Sequence, residues 1–377
     1  MSEPNTLTAL VLQGGGALGA YQGGAYEALA AAGREPDWLA GISIGAINSA
    51  LIAGNAPERR TLRLREFWQR ITAQVPTPAW AGTDGPLRAW ANDWGAAWGA
   101  AFGLPHFFQP RMGAPWWPGA ADAPSLYDTA PLRETLLELV DFDRINDGPV
   151  RLSVGAVDVE SGNFVYFDSR RQRLRPEHIM ASGALPPGFP AVVIDGRAYW
   201  DGGLVSNTPL RHVVEHLDSR VDATIFQVDL FNARGALPCS LAQVADREKD
   251  IRFSSRTRAL TDMLRERHDL RQRLRELAAL LPASRRGDAR IQALLSGLGA
   301  DAADAAVTLV HLIHRHKGSE TQTRDYEFSR TSMLEHWDAG RADMAHSLHR
   351  LQATTPAAER GSFRIFDYTH PDKETSR

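Results

Sequence analysis

Leu7-Thr8-Ala9-Leu10-Val11-Leu12-Gln13-Gly14-Gly15-Gly16-Ala17-Leu18-Gly19, read together with Gly41-Ile42-Ser43-Ile44-Gly45, decides the fold. The first half is a short apolar run of a length that suits a buried strand. It breaks into three glycines and then into a helical pattern through Ala32. Consecutive glycines let the backbone turn sharply and leave its N–H groups unscreened by side chains. Beside a helix N-terminus, with its partial positive charge, such groups are suited to holding a negative charge. The second stretch supplies a reason to hold one. Gly-x-Ser-x-Gly between a predicted strand (Trp38 to Ile42) and a predicted helix (Ile44 to Ala53) is the nucleophile-elbow pattern, with Ser43 on a tight turn and Gly41 and Gly45 relieving the crowding.

A glycine-rich loop after a strand also fits a dinucleotide fingerprint, and Gly14, Gly16 and Gly19 match Gly-x-Gly-x-x-Gly. That reading needs an acid at the far end of the next strand to hold a ribose. Here Glu35 and Asp37 come before that strand, which ends in Gly-Ile-Ser-Ile-Gly instead. Two anion-directed turns on consecutive strands would open at the same edge of a parallel sheet, so the elbow reading is preferred.

With these motifs the sequence resembles the patatin-like phospholipase family, which pairs Gly-Gly-Gly-x-x-Gly with Gly-x-Ser-x-Gly and later has Asp-Gly-Gly or Asp-Gly-Ala. This chain carries Asp201-Gly202-Gly203, followed by Asn207-Thr208-Pro209. Ala181-Ser182-Gly183-Ala184-Leu185-Pro186-Pro187-Gly188-Phe189-Pro190 looks like the small-residue block that precedes the family's aspartate. The resemblance covers roughly Leu7 to Leu210 and extends to a bacterial subgroup with an extra C-terminal region. Leu18 stands where the family often has Lys or Arg, which leaves backbone donors as the expected oxyanion hardware.

The resemblance implies a three-layer α/β/α sandwich with an insertion after the nucleophile helix and a C-terminal extension. The expected division is a catalytic domain over 7–215, containing a Trp-rich insertion at 76–125, and an extension over 216–377 packed on it. It also implies a lipid ester hydrolase of phospholipase A or lipase type working through a Ser-Asp dyad. Ser43 would be the nucleophile and Asp201 the proton acceptor, with the backbone of Gly14, Gly15, Gly16 and Ala17 holding the oxyanion. A carboxylate serves as base when a dry site raises its pKa toward neutrality. No histidine stands in a comparable strand-end setting, and His178, nearest the small-residue block, reads as structural. Three alternatives stay open: the same mechanism on a hydroxy-acid polyester or thioester, a three-residue serine hydrolase using a histidine, and a non-catalytic lipid-binding or scaffold protein. Retention of both Ser43 and Asp201 argues against the last.

Composition sets wider bounds. The chain has 377 residues, 43% hydrophobic and 23% charged, enough for one large core or two domains. A formal net charge of −3 gives no overall field toward nucleic acid or an anionic membrane. The single cysteine, Cys239, excludes an internal disulfide, and a reducing, cytoplasmic compartment is the simple expectation. No signal peptide or transmembrane run is apparent, so membrane contact is expected to be peripheral. No cofactor or metal is expected.

Between Pro76 and Ser125 the texture changes. Only five residues there are formally charged, and six of the ten tryptophans lie there: Trp80, Trp90, Trp94, Trp98, Trp116 and Trp117. Trp90, Trp94 and Trp98 recur every fourth residue and share one helical face, either a core face packed on the sheet or a lid or docking surface for lipid. Strands are predicted at Arg151 to Val157 and Asn163 to Phe167. A hairpin around Asp195-Gly196 is predicted to deliver Asp201 at a strand end. Asp246 to Glu276 holds ten basic and seven acidic residues and reads as a solvated helical face. His311, His314 and His316 show neither helical metal-ligand spacing nor a neighbouring carboxylate cluster and read as surface or packing histidines. Ser329 to Leu348 is predicted to be an amphipathic helix docking on the main domain.

Overall fold

The computed structural model describes residues 6–76, 84–111, 125–218, 220–297, 305–315, 320–354 and 361–369. Trp80, Trp116, Trp117 and His316 lie outside them. In chain order the elements begin with β1 (Leu7–Leu12), α1 (Gly19–Ala31), β2 (Trp38–Gly41), α2 (Ile44–Ala53), α3 (Pro57–Ile71) and α4 (Pro86–Phe102). A short ribbon, β3 (Gln109–Pro110) and β4 (Tyr127–Asp128), precedes α5 (Ala130–Leu139), α6 (Phe142–Asp147), β5 (Arg151–Asp158), β6 (Phe164–Asp168) and α7 (Pro176–Ser182). Then come β7 (Val192–Ile194), β8 (Arg197–Asp201), α8 (Leu210–Glu215), β9 (Ala223–Asp229) and the 40-residue α9 (Leu241–Leu280). The chain closes with α10 (Ala283–Arg286), α11 (Ala289–Gly297), β10 (Val307–Ile313), α12 (Arg330–Thr354) and β11 (Phe363–Asp367).

Nine strands form one mixed sheet between helical layers. Six run parallel in the order β11-β10-β9-β1-β2-β5, and β6, β7 and β8 join antiparallel. Alternate residues of β1 feed different cores. Leu10 and Leu12 pack with α1, α2 and α12, while Ala9 and Val11 pack with Leu210, Val213 and Leu264. Burial on both faces is what a parallel sheet requires, and it explains why the strand reads as a continuous apolar run. β9 pairs with β1 over Leu7↔Ala223 to Leu12↔Val228, and β10 and β11 continue the same sheet beyond residue 216.

α1 has little polar surface because it lies between the sheet and α12. A Cβ on Gly24 would lie 1.8 Å from the Trp337 carbonyl oxygen, and one on Gly340 would lie 1.9 Å from that of Tyr21. The two backbones therefore approach where only glycine fits. Trp337 fills the contact and donates its indole N–H to Glu27.

The edge of β5 sets up the site. β2 pairs with β5 as far as Gly41↔Val154, and β6 occupies β5 from Ser153 to Val157. β8, which pairs Ala156↔Asp201, must therefore lie on the β2 side and begin where β2 has stopped. Asp201 thus ends its strand about two residues, roughly 7 Å, beyond Gly41 along β5. The hairpin before it turns at Asp195 (φ 49°) and Gly196 (φ 81°), the left-handed pair predicted from Asp-Gly.

The tryptophan face of α4 is not a core face. Ala91, Asn92, Gly95, Ala96 and Gly99 are buried, while Trp90 and Trp94 are 55% and 37% exposed. Small residues let α4 lie close to the body, which turns the indoles outward. Trp94, Trp98 and Phe102 stack along the helix with ring centroids 5.3 and 4.4 Å apart.

Candidate active site

Ser43 stands between β2 and α2 with φ 55° and ψ −123°, an unfavourable backbone for a residue with a Cβ. Its surroundings hold it there. The Ser43 N–H donates to both the carbonyl and the hydroxyl oxygen of Ser182, each at 3.1 Å, and Ser182 in turn donates to Gly155 O at 2.6 Å. A Cβ on Gly45 would lie 2.4 Å from Leu12 O, so α2 can begin this tightly against β1 only with glycine.

Asp201 is 2% exposed, with Gly203 N–H donating to its Oδ1 at 2.7 Å and the Ser43 hydroxyl close enough to favour its ionised form. Burial pushes its pKa up to about 6, and the neighbouring Ser43 hydroxyl and Gly203 N–H offset part of that shift.

The glycine loop lies over this pair. Gly16 has φ +54°, and a Cβ there would meet the Asp325 carbonyl oxygen at 1.9 Å. The loop's four expected donors differ in what they face. Gly14 N–H donates to Asn207 O at 3.2 Å and Ala17 N–H to Asp325 O at 2.7 Å. Gly14 and Ala17 are thus spent on holding the loop, a correction to the four-donor expectation. Among the described residues, no acceptor faces the N–H of Gly15 or Gly16. Asn207 also donates its Nδ2 to Gly14 O at 2.9 Å, tying the Asp-Gly-Gly turn to the glycine loop. Gln13 fastens the strand ends, accepting from Leu230 N at 2.6 Å and donating to Thr208 Oγ1 at 3.1 Å.

Ser43, Asp201 and Gly14 to Gly16 open on a cavity of about 450 Å³. Its walls are mostly apolar and include Phe107, Phe108, Phe189 and Phe328, with Gly99 and Ala100 of α4 at one side. No described lining residue is a histidine. His178 lies elsewhere, its Nδ1 accepting from Arg175 N at 2.9 Å to cap α7. The acids before β2 have other partners. Asp37 accepts from Thr8 N at 2.8 Å, and Glu35 pairs with Arg60 and Tyr26.

Four contributors escaped the sequence reading. Ser182 and Asn207 stand inside motifs it quoted, so their proximity was accessible, although their bonds were not. Asp325 and Phe328 are more than three hundred residues from the glycine loop, and nothing local signals their approach. The histidine reading also needs correction. His314 is buried with Glu320 and His336, all three offering ligand atoms within 4.8 Å of one another, so a carboxylate does stand beside it.

A patatin-like phospholipase family model matches residues 10–214, more than half of the chain, and a patatin phospholipase model of the DUF3734 type matches residues 251–359. No curated protein matches in sequence. Solved structures with similarity include VipD from Legionella pneumophila, 13% identical, covering 89% of this chain and 67% of VipD at a TM-score of 0.33. They also include ExoU, solved with SpcU from the type III secretion system of Pseudomonas aeruginosa, 19% identical at a TM-score of 0.28. That match covers 67% of this chain and 50% of ExoU. The chain belongs to the patatin-like phospholipase family, and at that level it is a lipid ester hydrolase.

Proposed function

We propose that the protein cleaves carboxylic esters of phospholipids or other acylglycerols through a Ser43–Asp201 dyad and an acyl-serine intermediate. The observation that carries this reading is a buried carboxylate, its pKa raised to about 6, lining the same apolar cavity as the Ser43 hydroxyl. Asp201 takes the hydroxyl proton as Ser43 Oγ attacks the ester carbonyl. The resulting oxyanion is met by Gly15 and Gly16 N–H, each such donor contributing about 3 kcal/mol. Collapse breaks the ester C–O bond, and the proton held by Asp201 passes to the departing alcohol. Water then attacks the acyl-serine, giving its proton to Asp201, and the second collapse returns a proton to Ser43 and releases the fatty acid.

The aromatic cavity suits an acyl chain, because it removes apolar surface from water without placing charges against it. α4 joins the cavity to a surface. Gly99 and Ala100 line the pocket, while Trp90, Trp94 and Phe102 on the same helix remain exposed. Indole favours the lipid–water boundary, so this face is the proposed peripheral contact with a membrane. No helix among the described residues is long and apolar enough to cross one.

Hydrolysis of short- and long-chain p-nitrophenyl esters, a phospholipid panel, a hydroxy-acid polyester and a thioester by wild type, Ser43→Ala and Asp201→Asn tests the proposal. Turnover of lipid esters by wild type alone, with acyl-serine trapped on Ser43, is expected. Activity retained in Asp201→Asn would remove the dyad, and turnover confined to polyester or thioester would replace the substrate class.

A further inference from the structure

Three side chains from distant parts of the chain meet away from the dyad. His314 directly follows β10, Glu320 begins the segment leading to α12, and His336 lies in the second turn of α12. Their side chains are 4%, 10% and 5% exposed, respectively. His314 Nε2 lies 3.5 Å from Glu320 Oε2, and His336 Nε2 lies 3.3 Å from Glu320 Oε1. The imidazole rings meet edge to face, with centroids 5.1 Å apart at 78°, so they converge instead of stacking.

These separations are informative. A directly bonded imidazolium–carboxylate pair closes to about 2.7–2.9 Å. Ligand atoms on a tetrahedral ion with bonds of about 2.0–2.1 Å are about 3.3 Å apart along each edge. Both contacts, the His336 one a long hydrogen bond, exceed the direct-pair distance, and one ligand atom from each residue lies within 4.8 Å of the others, a spread that a single cation could draw in. Glu320 Oε2 is buried and accepts no hydrogen bond among the described residues. We propose that His314, Glu320 and His336 bind one zinc-type divalent cation, with water completing the coordination. Two imidazoles and a carboxylate suit a borderline ion of this class and not the all-oxygen shell of magnesium or calcium.

The location gives the ion a positioning task. The chain from Glu320 to Phe328 crosses to the active site. Asp93 of α4 accepts from Thr323 Oγ1 at 2.8 Å, and Lys249 of α9 donates to Asp325 Oδ1 at 2.7 Å. The same segment supplies the Asp325 carbonyl that receives Ala17 N–H, and Phe328 lines the cavity. A cation on Glu320 anchors one end of this segment to β10 and α12. It takes no part in the ester chemistry, so the proposal stands or falls independently of the dyad.

The test uses untagged full-length protein, stripped with a chelator and titrated with Zn²⁺ by calorimetry and with Co²⁺ by visible absorption. One equivalent of each is expected per chain, with intense four-coordinate Co²⁺ bands. Zn²⁺, but not Mg²⁺, is expected to raise the melting temperature by a few degrees. His336→Gln and Glu320→Gln, checked for folding by circular dichroism, are expected to weaken binding by at least about 100-fold. His346→Gln, on the exposed side of α12, is expected to leave it unchanged. Absence of stoichiometric binding by wild type overturns the proposal and leaves a histidine–glutamate ion network. Undiminished binding by the folded Glu320→Gln and His336→Gln variants overturns it equally. Because the wild-type titration alone can refute the site, the test does not depend on every variant folding.

Discussion

Replacing Asp201 by Asn separates what the site costs from what it does. The native carboxyl titrates at about 6, against an ordinary value of 3.8. That difference corresponds to about 3 kcal/mol. Its sign follows from burial. The folded state holds the proton more tightly than the unfolded chain, so Asp201 favours folding most below pH about 4. That contribution is lost as pH rises through about 6, where the native carboxylate ionises without a cationic partner. Asn has nearly the same shape and keeps an oxygen for Gly203 N–H, but it carries no charge. Urea denaturation of Asp201→Asn and wild type should therefore show a small stability difference at pH 4. By pH 8 the variant should be the more stable by about 2–3 kcal/mol. The same ionisation governs activity in the opposite direction. Only the carboxylate accepts the serine proton, so wild-type kcat/KM should rise with pH and level off above an apparent pKa near 6. A stability gap that does not change between pH 4 and pH 8 would refute the argument that burial sets this pKa. A rising limb centred near 4 would do the same.

The remaining predictions address the elbow, the glycine loop, the exposed tryptophan face of α4 and a buried ion cluster. Ser43→Gly removes the unfavourable positive φ and should raise stability by about 1 kcal/mol, read by urea midpoint, while abolishing ester turnover. Gly16→Ala drives a Cβ toward Asp325 O, and kcat should fall by about 10²–10³-fold while the short-ester KM changes less. Trp90→Ala should weaken sedimentation with phospholipid vesicles about tenfold and leave hydrolysis of soluble short-chain esters unchanged. Asp168 accepts from Arg151 at 2.7 Å and Ser153 at 2.8 Å and faces His212 at 3.3 Å. Burial alone would push its pKa up, but these bonds outweigh it and hold the carboxyl well below the usual range. Asp168→Ala leaves half-buried Arg151 and buried His212 without their acceptor and should cost about 3 kcal/mol at pH 7 by urea denaturation. The wild-type advantage should shrink as pH falls below about 4, where the unfolded carboxyl begins to bind its proton.

Local chemistry made much of this protein legible. Leu7 to Leu12 read as a buried strand. Gly41-x-Ser43-x-Gly45 needed a turn with no room for Cβ atoms beside β1, and Asp195-Gly196 set the turn that ends its hairpin at Asp201. Each depends on backbone sterics or hydrophobic periodicity within a few residues. The face of α4 was not legible, because a helical tryptophan stripe has the same period whether it is buried or exposed. Gly95, Ala96 and Gly99 decided it by packing more closely than indoles could. The division of labour among Gly14, Gly15, Gly16 and Ala17 was hidden for a related reason, since their acceptors come from Asn207 and Asp325. The sequence alone determined the chemical groups available: a strained serine, a carboxylate and unscreened N–H groups. Only tertiary structure decided which of them face one another, how dry Asp201 is, and that Glu320 lies between His314 and His336. Those properties depend on burial and on contacts between residues far apart in the chain, which no local pattern encodes.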